Sequence, residues 1–178
     1  MRLLLTGWLG AGCTEVANII AKSKSFKVVN SYVAIKDLIK ERGIPYQTFE
    51  QESRSGEYDL DVLLRNKVLE YLDEDEDLII EGRAALLVLD RKFDLTGFLT
   101  APKEERVRHV AFRREIDLEK AAKVVEDSDR ERRHLVRKLF DHELDLTMFD
   151  VVLNTSRYGY DWVATTILNL LEKNSSSG

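Results

Sequence analysis

An α/β protein, built on a parallel sheet of five strands covered on both faces, is the fold this chain predicts. Three observations lead there. Short apolar runs alternate with longer segments that carry apolar residues at helical spacing. The runs are nearly continuous in apolar character, as strands buried on both faces require. The first of them, Leu3-Leu4-Leu5, leads through a glycine-rich turn into a helical pattern. Strands joined in this way by helices form a parallel sheet with helices layered on either side.

Arg2 to Thr6 reads as the first buried strand, and Thr14 to Lys24 as a helix whose inner face is Val16, Ala17, Ile19 and Ile20. Lys27 to Asn30 is a short second strand. Tyr32 to Arg42 is a helix, stopped by Gly43 and Pro45. Leu60 to Leu72 is an amphipathic helix. Asp77 to Glu81 is a third strand ended by Gly82, and Asp94 to Thr100 a fourth ended by Ala101-Pro102. Two charged helices follow, over 103–115 and 118–140. Asp150 to Asn154 is the fifth strand, and Asp161 to Glu172 a closing helix. Ligands of such sheets bind beyond the carboxyl ends of the strands. That rule gathers Gly7 to Thr14, Asn30-Ser31, Glu81-Gly82-Arg83, Thr100 and Asn154-Thr155 around one crevice. The chain shows no internal repeat and no domain boundary, so 1–172 reads as a single domain and 173–178 as a flexible tail.

The turn after the first strand is G-W-L-G-A-G-C-T, from Gly7 to Thr14. It meets every fixed position of the phosphate-binding pattern G-x-x-x-x-G-K-[ST] except one, because Cys13 stands in the lysine's place. Backbone N–H groups at the loop and helix N-terminus can still face a polyphosphate. Thr14 has two readings, Mg²⁺ ligand or helix N-cap. Cys13 also has two, a thiolate activated at a helix N-terminus or a neutral filler. Trp8 either lies over a nucleotide or packs down on its neighbours.

Composition narrows the function classes. The chain has 178 residues, 44% of them hydrophobic, enough for one domain with a real core. Its single cysteine rules out an internal disulfide and suits a reducing, cytoplasmic compartment. The longest apolar runs fall far short of the roughly 20 residues a membrane span needs. A net charge of −5 disfavours a general nucleic-acid binder. The segment 103–138 nevertheless holds twelve Lys/Arg against nine acids, while 41–81 holds thirteen acids and four bases. His109, His134 and His142 lack metal-ligand spacing. Oligomeric state does not follow from the sequence.

The loop, I-I-E-G-R at 79–83, T-A-P at 100–102 and V-L-N-T-S-R at 152–157 together resemble the cytidylate kinases. The similarity is greatest to short archaeal-type and cytidylate-kinase-like members, and it spans Met1 to about Glu172. It implies a three-layer α/β/α P-loop kinase fold with strand order 2-3-1-4-5. It further implies a monophosphate-binding region at about 31–74, an arginine-rich helical lid at about 113–141, and ATP with Mg²⁺ as donor and cofactor. Gly7, Gly10, Ala11, Gly12, Thr14 and Glu15 match the phosphate loop, with Cys13 the departure. G-A-G-C-T-E-V at 10–16 is similar to members that lack the loop lysine. Lys36 falls where the kinases carry an arginine for the monophosphate, keeping charge but losing the bidentate fork. Glu81 and Arg83 match the end of the third strand, with Arg83 the implied clamp on the acceptor phosphate. Arg130, Arg132 and Arg133 match the lid arginines as a group.

Glu81 reads equally as a strand-closing surface acid or as a group near metal or acceptor. Of Arg113, Arg114, Arg130, Arg132 and Arg133, at least two are expected to reach phosphate. The lid arginines show no evident apolar anchor, so 103–138 is expected to be mobile without ligands. Two function classes follow. One is transfer of the γ-phosphoryl of ATP to a nucleoside monophosphate, CMP or dCMP foremost. The other is a degenerate kinase that binds nucleotide without catalysis. In the first case Cys13→Lys is expected to tighten ATP binding and to speed turnover by about tenfold or more; in the second it improves nucleotide binding without creating transfer.

Overall fold

The computed structural model describes residues 1–56, 58–73 and 77–175. The elements run β1 (Arg2–Gly7), α1 (Cys13–Lys24), β2 (Lys27–Val29), α2 (Ser31–Arg42), α3 (Tyr46–Ser55), α4 (Leu60–Asp73), β3 (Leu78–Glu81) and α5 (Arg83–Leu86). They continue with β4 (Leu95–Thr100), α6 (Lys103–Arg114), α7 (Leu118–Phe140), a 3-10 turn at Leu146–Met148, β5 (Val151–Asn154), α8 (Thr155–Tyr158) and α9 (Tyr160–Ser175). The sheet order is β2-β3-β1-β4-β5, and every pairing is parallel.

Continuous apolar strands follow from this layering, since side chains alternate between two buried faces. Leu4, Ile80 and Phe98 pack on one face with Leu64, Val68 and Leu135. Leu3, Leu5, Ile79 and Leu99 pack on the other with Val16, Ile20, Val163 and Ile167. Leu3, Leu4 and Leu5 are fully buried. Each such leucine contributes roughly 1.5–3 kcal/mol relative to an exposed one. The central strand therefore brings its loop to the middle of the sheet's carboxyl edge on a rigid support.

Three features depart from the sequence reading. Pro45 precedes a helix, α3, that the pattern does not announce: Q-T-F-E-Q-E-S-R-S offers Phe49 as its one buried residue. The charged helices α6 and α7 do have an apolar anchor. Val110, Ala121 and Val125 form a small core with Leu9, Val107 and Ile116, and Leu135 and Val136 join the main one. Arg106, buried on α6, adds a bidentate pair to Asp129 of α7 at 3.0 and 2.9 Å. Finally, α9 extends to Ser175, past the expected end at Glu172. Residues 176–178 of the expected tail lie outside the described residues.

Candidate active site

The loop between β1 and α1 is held by its carbonyls. Arg132 Nε donates to Gly7 O at 3.0 Å, Arg106 Nη1 to Leu9 O at 3.3 Å, and Thr155 Oγ1 to Ala11 O at 2.8 Å. His109 Nδ1 lies 3.0 Å from Gly10 O. With its carbonyls turned into protein, the loop leaves the first-turn N–H groups of α1 without intrahelical acceptors, as at any helix start. The loop's amides are not turned inward as a set: Ala11 N–H donates to Trp8 O at 3.0 Å, and the N–H groups of Gly12, Cys13 and Thr14 find no backbone acceptor among the described residues. Two of the glycines are required by geometry. A Cβ on Gly7 would meet Leu99 O at 2.3 Å, and Gly12 sits at φ +93 with the Tyr160 ring 2.3 Å from where its Cβ would be.

Cys13 faces the core, packed with Leu3, Leu5 and Val16. Burial pushes its thiol pKa up to about 12, with the Glu81 charge adding to the effect. Burial both disfavours the thiolate and shields the sulfur from reagents, which favours the neutral filler over an activated thiolate. Trp8 packs edge-on against Phe98, ring centroids 5.2 Å apart, beneath the Arg133 guanidinium at 4.7 Å.

Thr14 and Glu81 meet at the foot of the loop. The Thr14 hydroxyl donates toward the Glu81 carboxylate at 3.2 and 3.4 Å, and Asn30 Nδ2 donates to the same group at 2.8 Å. Asn30 also caps α2, its Oδ1 accepting from Val33 N–H at 3.0 Å. Glu81 is 3% exposed, which excludes the surface-acid reading. Burial drives its carboxyl pKa above the ordinary glutamate value of 4.5, against the two hydrogen bonds that lower it. A raised acid pKa means the folded state disfavours the charge. Stability therefore falls as pH rises from the ordinary value through the raised one, and the full cost is present above it. Glu81→Gln should accordingly raise Tm at pH 7 and leave it unchanged at a pH below 4, a difference that thermal melts at the two pH values resolve.

The pair also fits a magnesium ion. Mg²⁺ takes hard oxygen ligands, usually one or two protein groups with waters and substrate phosphates filling the rest. A threonine hydroxyl beside one buried carboxylate, at a helix N-terminus, supplies that set. No cluster of three or more His, Cys, Asp or Glu occurs among the described residues, and this ion does not call for one.

Two clefts flank the loop. One, of about 340 Å³, is lined by Gly10, Gly12, Glu15, Phe112, Arg113 and Tyr160, with the Phe112 ring largely exposed. The other is lined by Leu9, Arg83, Arg114, Ser128, Glu131 and Arg132. It adjoins a hollow bounded by Asp61, Arg83, Arg130 and His134. Arg83, at the start of α5, pairs with Asp61 at 2.7 Å, and Lys138 of α7 pairs with the same aspartate at 3.0 Å and with Asp59 at 2.8 Å. Burial works to raise the Asp61 pKa, but the two cations overcome it and hold the carboxyl below the usual aspartate value.

The lid arginines divide sharply. Arg132 is 8% exposed and lies against the loop, whereas Arg130 is solvent-facing and pairs with Asp127. Arg133 is exposed and spent on Trp8 and its own helix. Lys36 is exposed on α2 and lines neither cleft. Asp61, Arg106 and Lys138 are site or support residues that the sequence does not single out, whereas Asn30 and Thr155 stand where the carboxyl-edge rule gathers them. Asn30 carried a signal, as a capping residue at the end of a strand facing the crevice.

The family model of the cytidylate kinase-like family matches residues 5–157. A cytidylate kinase of Saccharolobus islandicus is 26% identical over 99% of this chain and 94% of its own length. One from Sulfolobus acidocaldarius is 27% identical over 97% and 95%. Among solved structures, shikimate kinase from Acinetobacter baumannii superposes with a TM-score of 0.63 at 17% identity, covering 97% of this chain and 93% of that one. An uncharacterized protein from Eubacterium ventriosum reaches 0.73 at 14% identity, covering 97% and 98%. At such identities the structural matches speak for the P-loop kinase fold alone. No described helix is long and apolar enough to cross a membrane. On the match across most of its length, and on the loop, strand order and site just described, the chain belongs to the cytidylate kinase-like family.

Proposed function

We propose that this protein transfers the γ-phosphoryl group of ATP to a nucleoside monophosphate, with CMP or dCMP as the first candidates. The observation that carries the reading is the meeting of Thr14 and Glu81 at the α1 N-terminus, with Arg83 and Arg132 lining the cleft beside it. An oxygen of the acceptor phosphate would attack the γ-phosphorus as the bond to the β–γ bridging oxygen breaks, leaving ADP and a nucleoside diphosphate. Such transfer depends on positioning and charge neutralisation rather than on covalent protein chemistry. The loop amides would hold the β-phosphate, and Thr14 with Glu81 would hold Mg²⁺, directly or through water. When bound, that ion would neutralise charge on the donor's phosphates. Arg83 would take the acceptor phosphate, exchanging part of its contact with Asp61 for it. The cytosine preference is supported by the name cytidylate kinase carried by the Saccharolobus islandicus and Sulfolobus acidocaldarius relatives.

A second reading, nucleotide binding without transfer, is favoured by the buried neutral thiol at Cys13 and the outward position of Lys36. Coupled turnover of ATP across CMP, dCMP, UMP, AMP and GMP, with binding measured separately, divides the two. The proposal expects turnover that depends on the acceptor, with kcat/KM highest for CMP or dCMP. Tight ATP binding with no turnover on any acceptor would establish the second reading.

A further inference from the structure

We propose that Asp61 holds the place of the acceptor phosphate on Arg83, and that Lys138 receives the Asp61 carboxylate when the acceptor displaces it. This deepens the proposed function and rests on its assignment of Arg83 to the acceptor.

The Asp61 carboxylate is divided between two cations from different helices. Its Oδ1 accepts from Arg83 Nη2 at 2.7 Å, and its Oδ2 from Lys138 Nζ at 3.0 Å. Arg83 makes no other side-chain hydrogen bond among the described residues, so most of its guanidinium donors are left for a ligand. Asp61 and Arg83 line the same hollow, where an incoming anion meets the arginine and its carboxylate together. Asp61 is the most shielded of the three side chains, 19% exposed against 31% for Arg83 and 35% for Lys138. A carboxylate so placed is strongly disfavoured once it loses its last cation. Lys138 removes that obstacle, because Asp61 stays paired after Arg83 turns to the phosphate.

Three elements build this arrangement. Y-D-L-D-V at 58–62 starts α4: Asp59 Oδ1 accepts from the N–H groups of Asp61 and Val62 at 3.0 and 3.4 Å, which puts Asp61 in the first turn, where an acid is favoured. Asp59 also holds the Lys138 ammonium at 2.8 Å, so the lysine stays beside Asp61 whether or not Arg83 does. Arg83 opens α5 directly after Gly82, whose N–H donates to Leu5 O at 2.9 Å and whose carbonyl accepts from Thr6 Oγ1 at 2.8 Å. The base of the arginine is thereby pinned to the central strand. Its one contact with Asp61 is what yields to the acceptor, and the backbone need not move.

Calorimetric titration of CMP, ribose 5-phosphate and ATP into the unaltered protein, Asp61→Asn, Lys138→Met and the double variant tests this. Asparagine still offers Oδ1 to Arg83 but neither competes as an anion nor repels one. Asp61→Asn is therefore expected to tighten CMP and ribose 5-phosphate by about threefold or more, with ATP little changed. Lys138→Met, which leaves the displaced carboxylate without a receiver, is expected to weaken the same two ligands by about threefold or more. In the double variant the Lys138 effect should largely disappear, since no carboxylate is left to receive. A group that only supported the fold would not tighten a ligand when neutralised. Unchanged CMP binding in Asp61→Asn would overturn the proposal. Weaker binding would overturn it too, by showing that the carboxylate orients Arg83 instead of competing for it. An equal loss from Lys138→Met in the Asn background would overturn the part given to Lys138, because the lysine would then touch the phosphate itself. Should Asp61→Asn not fold, Asp61→Ser, neutral and smaller, carries the same expectation. Opposite shifts in the two single variants without transfer to any monophosphate leave this inference standing and defeat the transfer reading. Transfer to CMP with affinities unchanged in both variants gives the reverse.

Discussion

Cys13→Lys in the otherwise unaltered protein is expected to lower the stability of the ligand-free chain and to tighten polyphosphate binding at the same time. The thiol lies among Leu3, Leu5 and Val16, and the guanidinium of Arg132 is already bonded to Gly7 O nearby. An ammonium introduced there has no carboxylate to itself, since Glu81 is shared between Thr14 and Asn30. An uncompensated buried charge costs roughly 3–5 kcal/mol. In a domain of this size that amounts to a Tm loss on the order of 10 °C. An added polyphosphate relieves the repulsion, so the deficit should shrink when tripolyphosphate is present. If the protein carries out transfer, turnover should rise by about tenfold or more, as a preorganised positive group at the transferring phosphate provides. Thermal melts with and without tripolyphosphate check the first claim. An unchanged ligand-free Tm would mean that the Cys13 position opens to solvent, contrary to its burial.

Arg83→Ala is expected to weaken the monophosphate by about tenfold to a hundredfold, the equivalent of roughly 1.5–3 kcal/mol for a lost charge-assisted contact. ATP affinity should change far less. The change should be tolerated by the fold, since Asp61 keeps Lys138 as a partner at 3.0 Å. Titration of CMP and ATP separately into the variant reads the difference. Equal losses for both ligands would place Arg83 outside the acceptor subsite.

Backbone-dictated features were readable in the sequence, and features set by tertiary packing were not. The apolar strands and the glycines at 7 and 12 follow from sterics and burial that leave few alternatives, whereas the strand order is what the family resemblance implies. Helix α3 escaped notice because one buried residue, Phe49, makes no periodic pattern. The arginines of α7 show the same limit more usefully. Arg130, Arg132 and Arg133 look equivalent as composition, yet on a helix they point in different directions. Continuing the stripe of Ala121 and Val125 to Leu135 and Val136 singles out Arg132 as the one facing inward. That periodicity was present in the sequence. The partnership of Arg106 with Asp129, and of Arg83 with Asp61, was not, because nothing local marks residues that meet across 23 or 22 positions.

The most direct test of the central claim is ³¹P NMR of the protein with ATP, Mg²⁺ and CMP. Transfer predicts that the phosphorus signals of CDP and ADP grow in equal amounts as those of ATP and CMP decline, and that Arg83→Ala slows their appearance. ADP accompanied by inorganic phosphate and no CDP, with the same outcome for every other monophosphate offered, would contradict it.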